Sequence, residues 1–159
     1  FKLMSKERAV EIVRSMKPVI DEDLIWYAYH RGRPVAFLIS LPEVNQIMRF
    51  VDGNLNLIGK MKFLWHRSGT PCTSVFGIAF GIDPDYQGQG LVGALFNVFG
   101  ERVVERGQYR DVILAWIGDF NPRMIHIIGS LGTSLFRKMA TYRMLFDRNA
   151  EFTRRPILP

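Results

Sequence analysis

Two glycines, Gly88 and Gly90, lie where an apolar stretch gives way to a segment with the spacing of a long helix. The first turn of a helix has backbone N–H groups without partners and carries the positive end of the helix dipole. Because glycine lets a bulky anion approach these donors, the segment is suited to binding a pyrophosphate. No Gly-Lys-Ser or Gly-Lys-Thr sequence follows, which excludes a Walker-type phosphate loop.

The apolar stretch before this loop, Val75–Ile82, predicts a strand whose two faces differ. The large residues at its even-numbered positions are expected on one face, and the small residues Gly77, Ala79 and Gly81 on the other. A face with so little side-chain volume is typical of close approach by a ligand, by another backbone or by a packed helix. The sequence does not choose among these.

Apolar periodicity and turn residues predict the elements that position this loop. In chain order these are a helix from Ser5 that ends before Pro18, strands at Leu24–Tyr29 and Val35–Leu41, a short helix at Val44–Val51 closed by a turn at Asp52–Asn54, a second short helix ending near Trp65, the Val75–Ile82 strand, a helix at Leu91–Arg106, a strand at Val112–Ile117, a helix that starts at Asn121-Pro122 and ends at Gly132, and a strand at Leu135–Phe146. This order predicts one α/β domain over residues 1–159, with helices on both faces of a mixed sheet.

Composition places the chain among globular proteins. Its 159 residues are 48% hydrophobic and 13% aromatic, which excludes disorder. The one cysteine, Cys72, cannot form an internal disulfide, and with the three histidines it shows no zinc-ligand spacing. No apolar run approaches the roughly 20 residues of a membrane-spanning helix. The first residue is Phe1 rather than Met, so we expect the C-terminal part of a longer chain.

The glycine loop has two interpretations. The letters from Gly88 to Gly93 spell G-x-G-x-x-G, the dinucleotide fingerprint, and Asp119 lies beyond the next predicted strand, where a ribose-binding acid is expected. However, Asp83–Gln87 separates the predicted strand from the first glycine, whereas the fingerprint normally follows its strand directly. The preceding strands also form a hairpin rather than opening a parallel sheet. Dinucleotide binding is therefore the weaker interpretation.

The second interpretation is a family resemblance. Residues Gly81–Leu91, GIDPDYQGQGL, resemble the acyl-CoA-binding motif of the GNAT N-acetyltransferase superfamily, in which a strand ends in a Gly-x-Gly loop that opens a helix. Residues Asp119–Gly132 resemble the superfamily's second motif, a helix that starts at an Asn and closes at Leu-Gly. A narrower resemblance, carried by Leu41–Gln46, Trp116–Asn121 and Thr141–Met144, covers nearly the whole chain and points to poorly characterised bacterial GNAT-like proteins.

This resemblance implies the GNAT acyl-CoA N-acyltransferase fold, an α/β fold with a central, mostly antiparallel sheet flanked by helices. It implies acetyl-CoA or another acyl-CoA as co-substrate, no metal, and direct attack of a primary amine on the thioester. Backbone N–H groups of the loop would hold the pyrophosphate, and the strand would pair with the pantetheine arm. By the same resemblance, the residues that bind the co-substrate are Phe80, Gly81, Ile82, Gln87, Gly88, Gln89, Gly90, Leu91, Val92 and Asn121.

Departures from the superfamily pattern leave the general acid and base unassigned. Val92 stands where the loop usually has Gly or Ala, and Ile128 stands where many members have the tyrosine that protonates the leaving thiolate. The predicted strand also lacks the glutamate that often serves as base. The candidates for these roles are Asp119 and Tyr142, with His126 as a further one, and a structural role explains each of them as well.

Two functions therefore stay open, an N-acyltransferase and a non-catalytic acyl-CoA or acyl-carrier binding module of the same fold. For the enzyme, the expected acceptor is a small-molecule or peptide amine in a bacterial cytoplasm, and a homodimer is compatible with the sequence. The net charge of +6 favours anionic partners in general. Since no aromatic and basic residues interleave and no span is predicted, neither a nucleic acid nor a membrane is an expected partner.

Overall fold

The computed structural model describes residues 5–51, 54, 56–69, 71–147, 149–151, 153–154 and 156–158. The chain divides into two compact units, Phe1–Ala115 and Trp116–Pro159. The first unit contains the helices α1 (Lys6–Met16), α2 (Asn45–Met48), α3 (Leu57–Gly69) and α4 (Leu91–Arg106), and the strands β1 (Ile25–His30), β2 (Arg33–Pro42), β3 (Ser74–Ile82) and β4 (Asp111–Leu114). The second unit contains α5 (Pro122–Ser130). Among the helices described, none combines the length and apolar character needed to cross a membrane.

The four strands form one mixed sheet in the order β1-β2-β3-β4. The pairs β1–β2 and β2–β3 are antiparallel, and β3–β4 is parallel. Arg31 and Gly32 join the first two strands with φ of 49° and 77°, the positive values that a tight hairpin turn requires at both positions. The predicted hairpin and the predicted mostly antiparallel α/β sheet are confirmed.

Helix α4 forms the core of the first unit together with the sheet. The helix begins at Leu91 and ends at Arg106, as predicted, and Gly107 closes it in a left-handed conformation with φ of 62°. Its buried side chains, Leu95, Phe99 and Val103, form one apolar cluster with residues of the sheet that include Leu38 and Val75. This packing fixes the helix that follows the glycine loop.

Charged residues fix the C-terminal end of α4. Arg106 Nη1 lies 2.8 Å from Asp21 Oδ2 and 2.9 Å from Asp23 Oδ2. The hydroxyl of Tyr109 donates to Asp21 Oδ2 at 2.8 Å. Burial, with the hydrogen bond to Asp21, raises the pKa of Tyr109 above its usual range. The cluster therefore supports the fold at the helix end opposite the glycine loop.

A β-bulge overturns the predicted faces of β3. The pairing with β2 shifts between Ile39, which opposes Ala79, and Ser40, which opposes Gly77, so Ile78 is an extra residue on β3. Because an extra residue reverses the alternation, Val75 joins the same buried cluster as Phe80 and Ile82. The large even-numbered residues therefore do not share one face, as the sequence pattern suggested.

Side chains of neighbouring strands explain two of the small residues of β3. A Cβ atom added to Gly81 would lie 2.6 Å from Cε1 of Phe37, the residue opposite it on β2. A Cβ atom on Gly77 would lie 2.8 Å from Cδ2 of Leu114 on β4. Both distances are too short for real contacts, so these glycines make room for cross-strand side chains.

Several predicted boundaries were wrong. The helix expected to end near Trp65 continues to Gly69, and the helix after Pro42 is limited to Asn45–Met48. Strand β4 ends at Leu114 rather than Ile117. The predicted turn at Asp52–Asn54 lies partly outside the described residues. No strand forms at Leu135–Phe146 in the described part of the second unit, because those residues find no ladder to join and most of their side chains stay exposed.

The packing of α4 on the sheet predicts which leucine matters for stability. Leu38 is 2% exposed in the core, whereas Leu57 is 76% exposed. Leu38→Ala should lower the free energy of unfolding by about 2–5 kcal/mol, because it removes apolar contacts and leaves a cavity. Leu57→Ala, the matched control, should change it by less than about 0.5 kcal/mol. Urea unfolding followed by circular dichroism measures both, and equal losses would contradict the assigned core.

Candidate functional site

The parallel ladder between β3 and β4 ends before β3 does. It comprises the pairs from Ser74/Asp111 to Gly77/Leu114, and the Ala115 N–H closes it with a 2.8 Å bond to the Gly77 carbonyl. Strand β3 continues to Ile82. Within the described part of the first unit, no strand pairs with the edge that β3 presents beyond this point. The edge is therefore available to an extended ligand.

The register shows which backbone groups face this open edge. The Asp83 N–H donates to the Val35 carbonyl at 2.8 Å, so residue 83 directs its backbone groups toward β2. Because hydrogen-bonded positions alternate in an antiparallel pair, Gly81 does the same. Phe80 and Ile82 therefore direct their N–H and C=O groups toward the open edge. Of the three strand residues predicted to bind the co-substrate, these two have backbone groups at the open edge, although the Ile82 carbonyl already accepts a hydrogen bond from the Gln87 side chain.

The glycine loop leads from this edge to the N terminus of α4. A short 3₁₀ helix at Pro84–Tyr86 follows Asp83, and Gly88 and Gly90 have φ of 76° and 77°. Gly90 is the N-cap of α4 and provides no side-chain hydrogen bond to the first turn. The N–H groups of the first turn thus keep their capacity to bind an anion, and the helix dipole favours negative charge there.

The residues on either side of the β1–β2 hairpin turn hold the loop in place. His30 Nδ1 and the Tyr86 hydroxyl lie 2.6 Å apart, and their rings meet edge to face at 5.5 Å. Arg33 Nη2 lies 2.5 Å from Asp83 Oδ2. Sequence reasoning missed these contacts, because the partners are 56 and 50 residues apart and no local pattern joins them.

The loop's two glutamines also tie it to its own backbone. Gln87 Nε2 donates to the Ile82 carbonyl at 3.3 Å, and Gln89 Nε2 donates to the Asp85 carbonyl at 2.9 Å. The predicted residues therefore divide between the loop, Gln87 to Gly90, and the first turn of α4, Leu91 and Val92. Their backbone, rather than their side chains, is what this segment presents to a ligand.

The remaining predicted site residues lie in the second unit. Asn121 is the N-cap of α5, and its Oδ1 accepts a 3.1 Å bond from the Met124 N–H, as the Asn-Pro start predicted. Asp119 is exposed and pairs with Arg154. Tyr142 is 92% exposed in a stretch without regular structure. The contact of Asn121 with the co-substrate and the catalytic roles of Asp119 and Tyr142 remain predictions.

Metal ligands do not cluster in the part of the chain that is described, where no group of three His, Cys, Asp or Glu side chains could hold an ion. Cys72 lies in the segment that connects α3 to β3, and its side chain is buried. Its backbone carbonyl accepts a 3.1 Å hydrogen bond from Gln108 Nε2. Burial, and secondarily the charge of Glu43, raises the pKa of the Cys72 thiol. This thiol therefore does not have the environment of a nucleophile.

The buried thiol gives a direct test of the first unit's packing. We expect Cys72 to react with a thiol reagent more slowly in the native chain than in urea, because the native thiol is both shielded and more weakly ionised. The reaction rate of the native chain should continue to rise at pH values where the rate of an unperturbed thiol has already reached its plateau, because the pKa of Cys72 is raised. The chain has one cysteine, so an Ellman assay reports on this site alone. Equal rates in the two states would contradict the assigned burial.

Comparisons with known proteins give two distant curated relatives. No known protein-family profile matches the chain. The bacterial ceramide synthase of Caulobacter vibrioides is 25% identical over 138 residues, which cover 84% of this chain and 35% of that protein. Protein YghO of Escherichia coli is 22% identical over 135 residues, which cover 80% and 33%. The chain thus spans about a third of the length of the curated relatives it matches.

Solved structures are similar over much more of their length. AAC(6')-Iy, an aminoglycoside N-acetyltransferase in complex with a CoA-containing bisubstrate analogue, superposes with a TM-score of 0.56 and 14% identity. The superposition covers 91% of this chain and 85% of that one. The polyamine N-acetyltransferase of Drosophila melanogaster gives a TM-score of 0.51 with 18% identity, covering 82% and 65%. Together with the order of the strands and the loop that opens α4, these similarities show that the chain has the fold of the GNAT N-acetyltransferase superfamily.

Proposed function

We propose that this chain is an acyl-CoA-dependent N-acyltransferase domain, which transfers an acetyl or longer acyl group from CoA to a primary amine by direct attack. The observation that carries the proposal is the open edge of β3, which the glycine loop connects to an N terminus of α4 that has no side-chain cap. The acetyltransferase structures of the same fold support it, one of them solved with a CoA-containing analogue.

The described groups fit the chemistry of CoA. Its pyrophosphate needs several donors close together, and the segment from Gly88 to Val92 offers backbone N–H groups at a helix N terminus. A side chain at Gly88 or Gly90 would be strained at the observed φ, so glycine keeps this approach free. The pantetheine arm carries amide groups, for which the N–H and C=O of Phe80 and the N–H of Ile82 lie at the open strand edge. When bound, acyl-CoA supplies an activated thioester carbon.

The contribution of the chain to the reaction is mainly positional and electrostatic. The backbone N–H groups of Phe80 and Ile82 lie at the open edge, beyond the bulge at Ile78. Such donors can stabilise the negative charge that develops on the carbonyl oxygen as the new C–N bond forms and the C–S bond breaks. One group must take the proton of the amine and one must protonate the leaving thiolate, and Asp119 and Tyr142 are the candidates for these roles.

The acceptor class can be narrowed by one of the relatives. A ceramide is a long-chain amino alcohol whose nitrogen carries a fatty acyl group, and one curated relative is named a bacterial ceramide synthase. This supports a long-chain acyl-CoA as donor and the amine of an amphiphilic lipid as acceptor. Because the chain spans only about a third of that protein, the relative's name supports this acceptor, and the acceptor is proposed together with the reaction.

The helix N terminus can be tested with two matched glycines of α4. Gly90 and Gly107 flank the helix with φ of 77° and 62°, and at neither would a new Cβ meet another atom within 4 Å. Gly90→Val and Gly107→Val should each cost about 1–2 kcal/mol of stability through the same left-handed strain. Only Gly90→Val should weaken acyl-CoA binding, by about tenfold or more, because it obstructs the charge-assisted hydrogen bonds to the pyrophosphate.

Calorimetric titration with acetyl-CoA and with a long-chain acyl-CoA measures this difference, with NAD as the parallel control. An unchanged affinity in Gly90→Val would contradict the assigned pyrophosphate site. So would an equal loss in Gly107→Val, which lies at the opposite end of a helix of about 24 Å.

A second candidate function is a non-catalytic acyl-CoA binding module. Three observations favour it: Ile128 occupies the position of the usual tyrosine, Asp119 is engaged by Arg154, and Tyr142 is almost fully exposed. A module of this kind would use the open edge and the glycine loop in the same way. It differs from the enzyme in releasing no thiol.

Thiol release from acyl-CoA distinguishes the two functions. With an enzyme, release should depend on added amine, and Asp119→Asn or Tyr142→Phe should lower the rate by roughly 100-fold if that residue transfers the proton. Asp147→Asn changes an exposed carboxylate of the same unit and should leave the rate unaltered. Calorimetric binding of acyl-CoA without thiol release, over a panel that includes long-chain amines, would establish the module instead.

A further inference from the structure

Helix α3 turns a continuous apolar surface toward solvent. The residues of this surface, which we call the α3 apolar face, are between 54% and 76% exposed and comprise Leu57, Ile58, Met61, Leu64 and Trp65. At 100° per residue they occupy an arc of roughly 120°. Large side chains exposed in such a contiguous arc indicate an interaction surface, whereas single exposed ones do not.

The opposite side of α3 is the one that contacts the protein. Gly59 is buried, and Phe63 and His66 are half-buried on the same side. An added Cβ on Gly59 would lie 1.8 Å from the Asn54 carbonyl oxygen, and the ring of His66 stacks on Phe50 at 4.5 Å. These contacts fix the rotation of the helix about its axis. The α3 apolar face is therefore held outward by close packing behind it.

Basic residues flank the α3 apolar face, and acidic ones do not occur on the helix. Lys62 lies on one side of the arc, and Lys60 lies on the other, as does Arg67, whose guanidinium donates to the Pro18 carbonyl. None of the thirteen residues from Leu57 to Gly69 is Asp or Glu. Trp65, at one margin of the apolar arc, has a ring suited to the boundary between an apolar and an aqueous phase. A helix with this arrangement is typical of proteins that lie on a membrane surface.

We propose that α3 docks this chain on an anionic lipid bilayer, with the α3 apolar face inserted among the acyl chains and the flanking cations at the lipid phosphates. Charge complementarity selects this occupant, because Lys60 and Lys62 flank the apolar arc on its two sides. The net charge of +6 adds long-range attraction to the same surface. Docking requires no spanning helix, and it does not depend on acyl transfer.

The inference departs from the expectation that the chain has no membrane partner. That expectation followed from the lack of an apolar run long enough to span a bilayer. The lack of such a run does not bear on whether a helix docks on the bilayer surface. The exposure of the α3 apolar face could not be read from the sequence, since the same periodicity is produced by a helix that buries its apolar side.

Vesicle co-sedimentation with the 159-residue chain tests the proposal. The probes are vesicles of phosphatidylcholine alone and of phosphatidylcholine with phosphatidylglycerol, each at low and high salt. We expect binding to the anionic vesicles that weakens with salt, together with a blue shift of tryptophan emission that Trp65→Phe diminishes. Failure to bind anionic vesicles at low salt would overturn the proposal.

Two matched variants locate the contact. Met61→Glu, at the centre of the α3 apolar face, should lower the vesicle partition coefficient about tenfold or more. Val104→Glu changes the charge equally at a residue of α4 that is 77% exposed, and should have a much smaller effect. Equal effects of the two variants would overturn the assignment to α3.

A third variant separates the lipid surface from a second copy of the chain. Lys60→Glu keeps the α3 apolar face intact and should weaken binding to anionic vesicles by roughly tenfold, since two units of charge are altered near the phosphates. Circular dichroism confirms that each variant folds. If sedimentation equilibrium shows a dimer that Met61→Glu dissociates while vesicles bind neither form, the surface joins two copies and the lipid proposal is wrong.

Discussion

The early end of the parallel pairing between β3 and β4 is the constraint on which the candidate site depends. If the ladder continued beyond Gly77 and Leu114, the edge of β3 would be filled by β4 and no extended ligand could pair there. The bulge at Ile78 lies at the same point and reverses which residues face the core. Phe80 and Ile82 thereby enter the apolar cluster with their side chains while their backbone groups remain at the open edge. One extra residue thus serves both the packing and the site.

Leaving hydrogen-bonding groups unpaired is unfavourable, and the surrounding structure compensates for it. The first turn of α4 lacks a side-chain cap, although Ser, Thr, Asp or Asn at Gly90 would stabilise an ordinary helix. Stability comes instead from the buried side chains of α4 and from the ion pairs of Arg106 at its other end. Local rules that a sequence breaks while the rest of the element obeys them are expected at functional sites.

The sequence allowed most of this architecture to be predicted where the determining interactions are local. The hairpin follows from Arg31-Gly32, the bounds of α4 from its apolar period and Gly107, and the start of α5 from Asn121-Pro122. The bulge was missed because it is set by pairing with β2, and alternation in the sequence does not report it. The contacts of His30 with Tyr86 and of Arg33 with Asp83 were missed because they too join residues far apart in the sequence. The strand expected at Leu135–Phe146 was wrong for a related reason. A composition typical of β-strands does not by itself provide a neighbouring strand to pair with.

The open edge of β3, the glycine loop and the α3 apolar face belong to the same unit, and the ligands proposed for them are all amphiphilic. Long-chain acyl-CoA and amine-bearing lipids are amphiphiles, so both concentrate at a bilayer surface rather than in the aqueous phase. A domain held at that surface would meet donor and acceptor where both are enriched, which raises the rate of encounter without any change in the site itself. For a domain with water-soluble substrates, a bilayer would bring no such enrichment, and the exposed arc of Leu, Ile, Met and Trp would require another partner, because such surfaces promote aggregation. The proposed docking of α3 on a bilayer and the proposed acylation of a lipid amine are therefore consistent with each other.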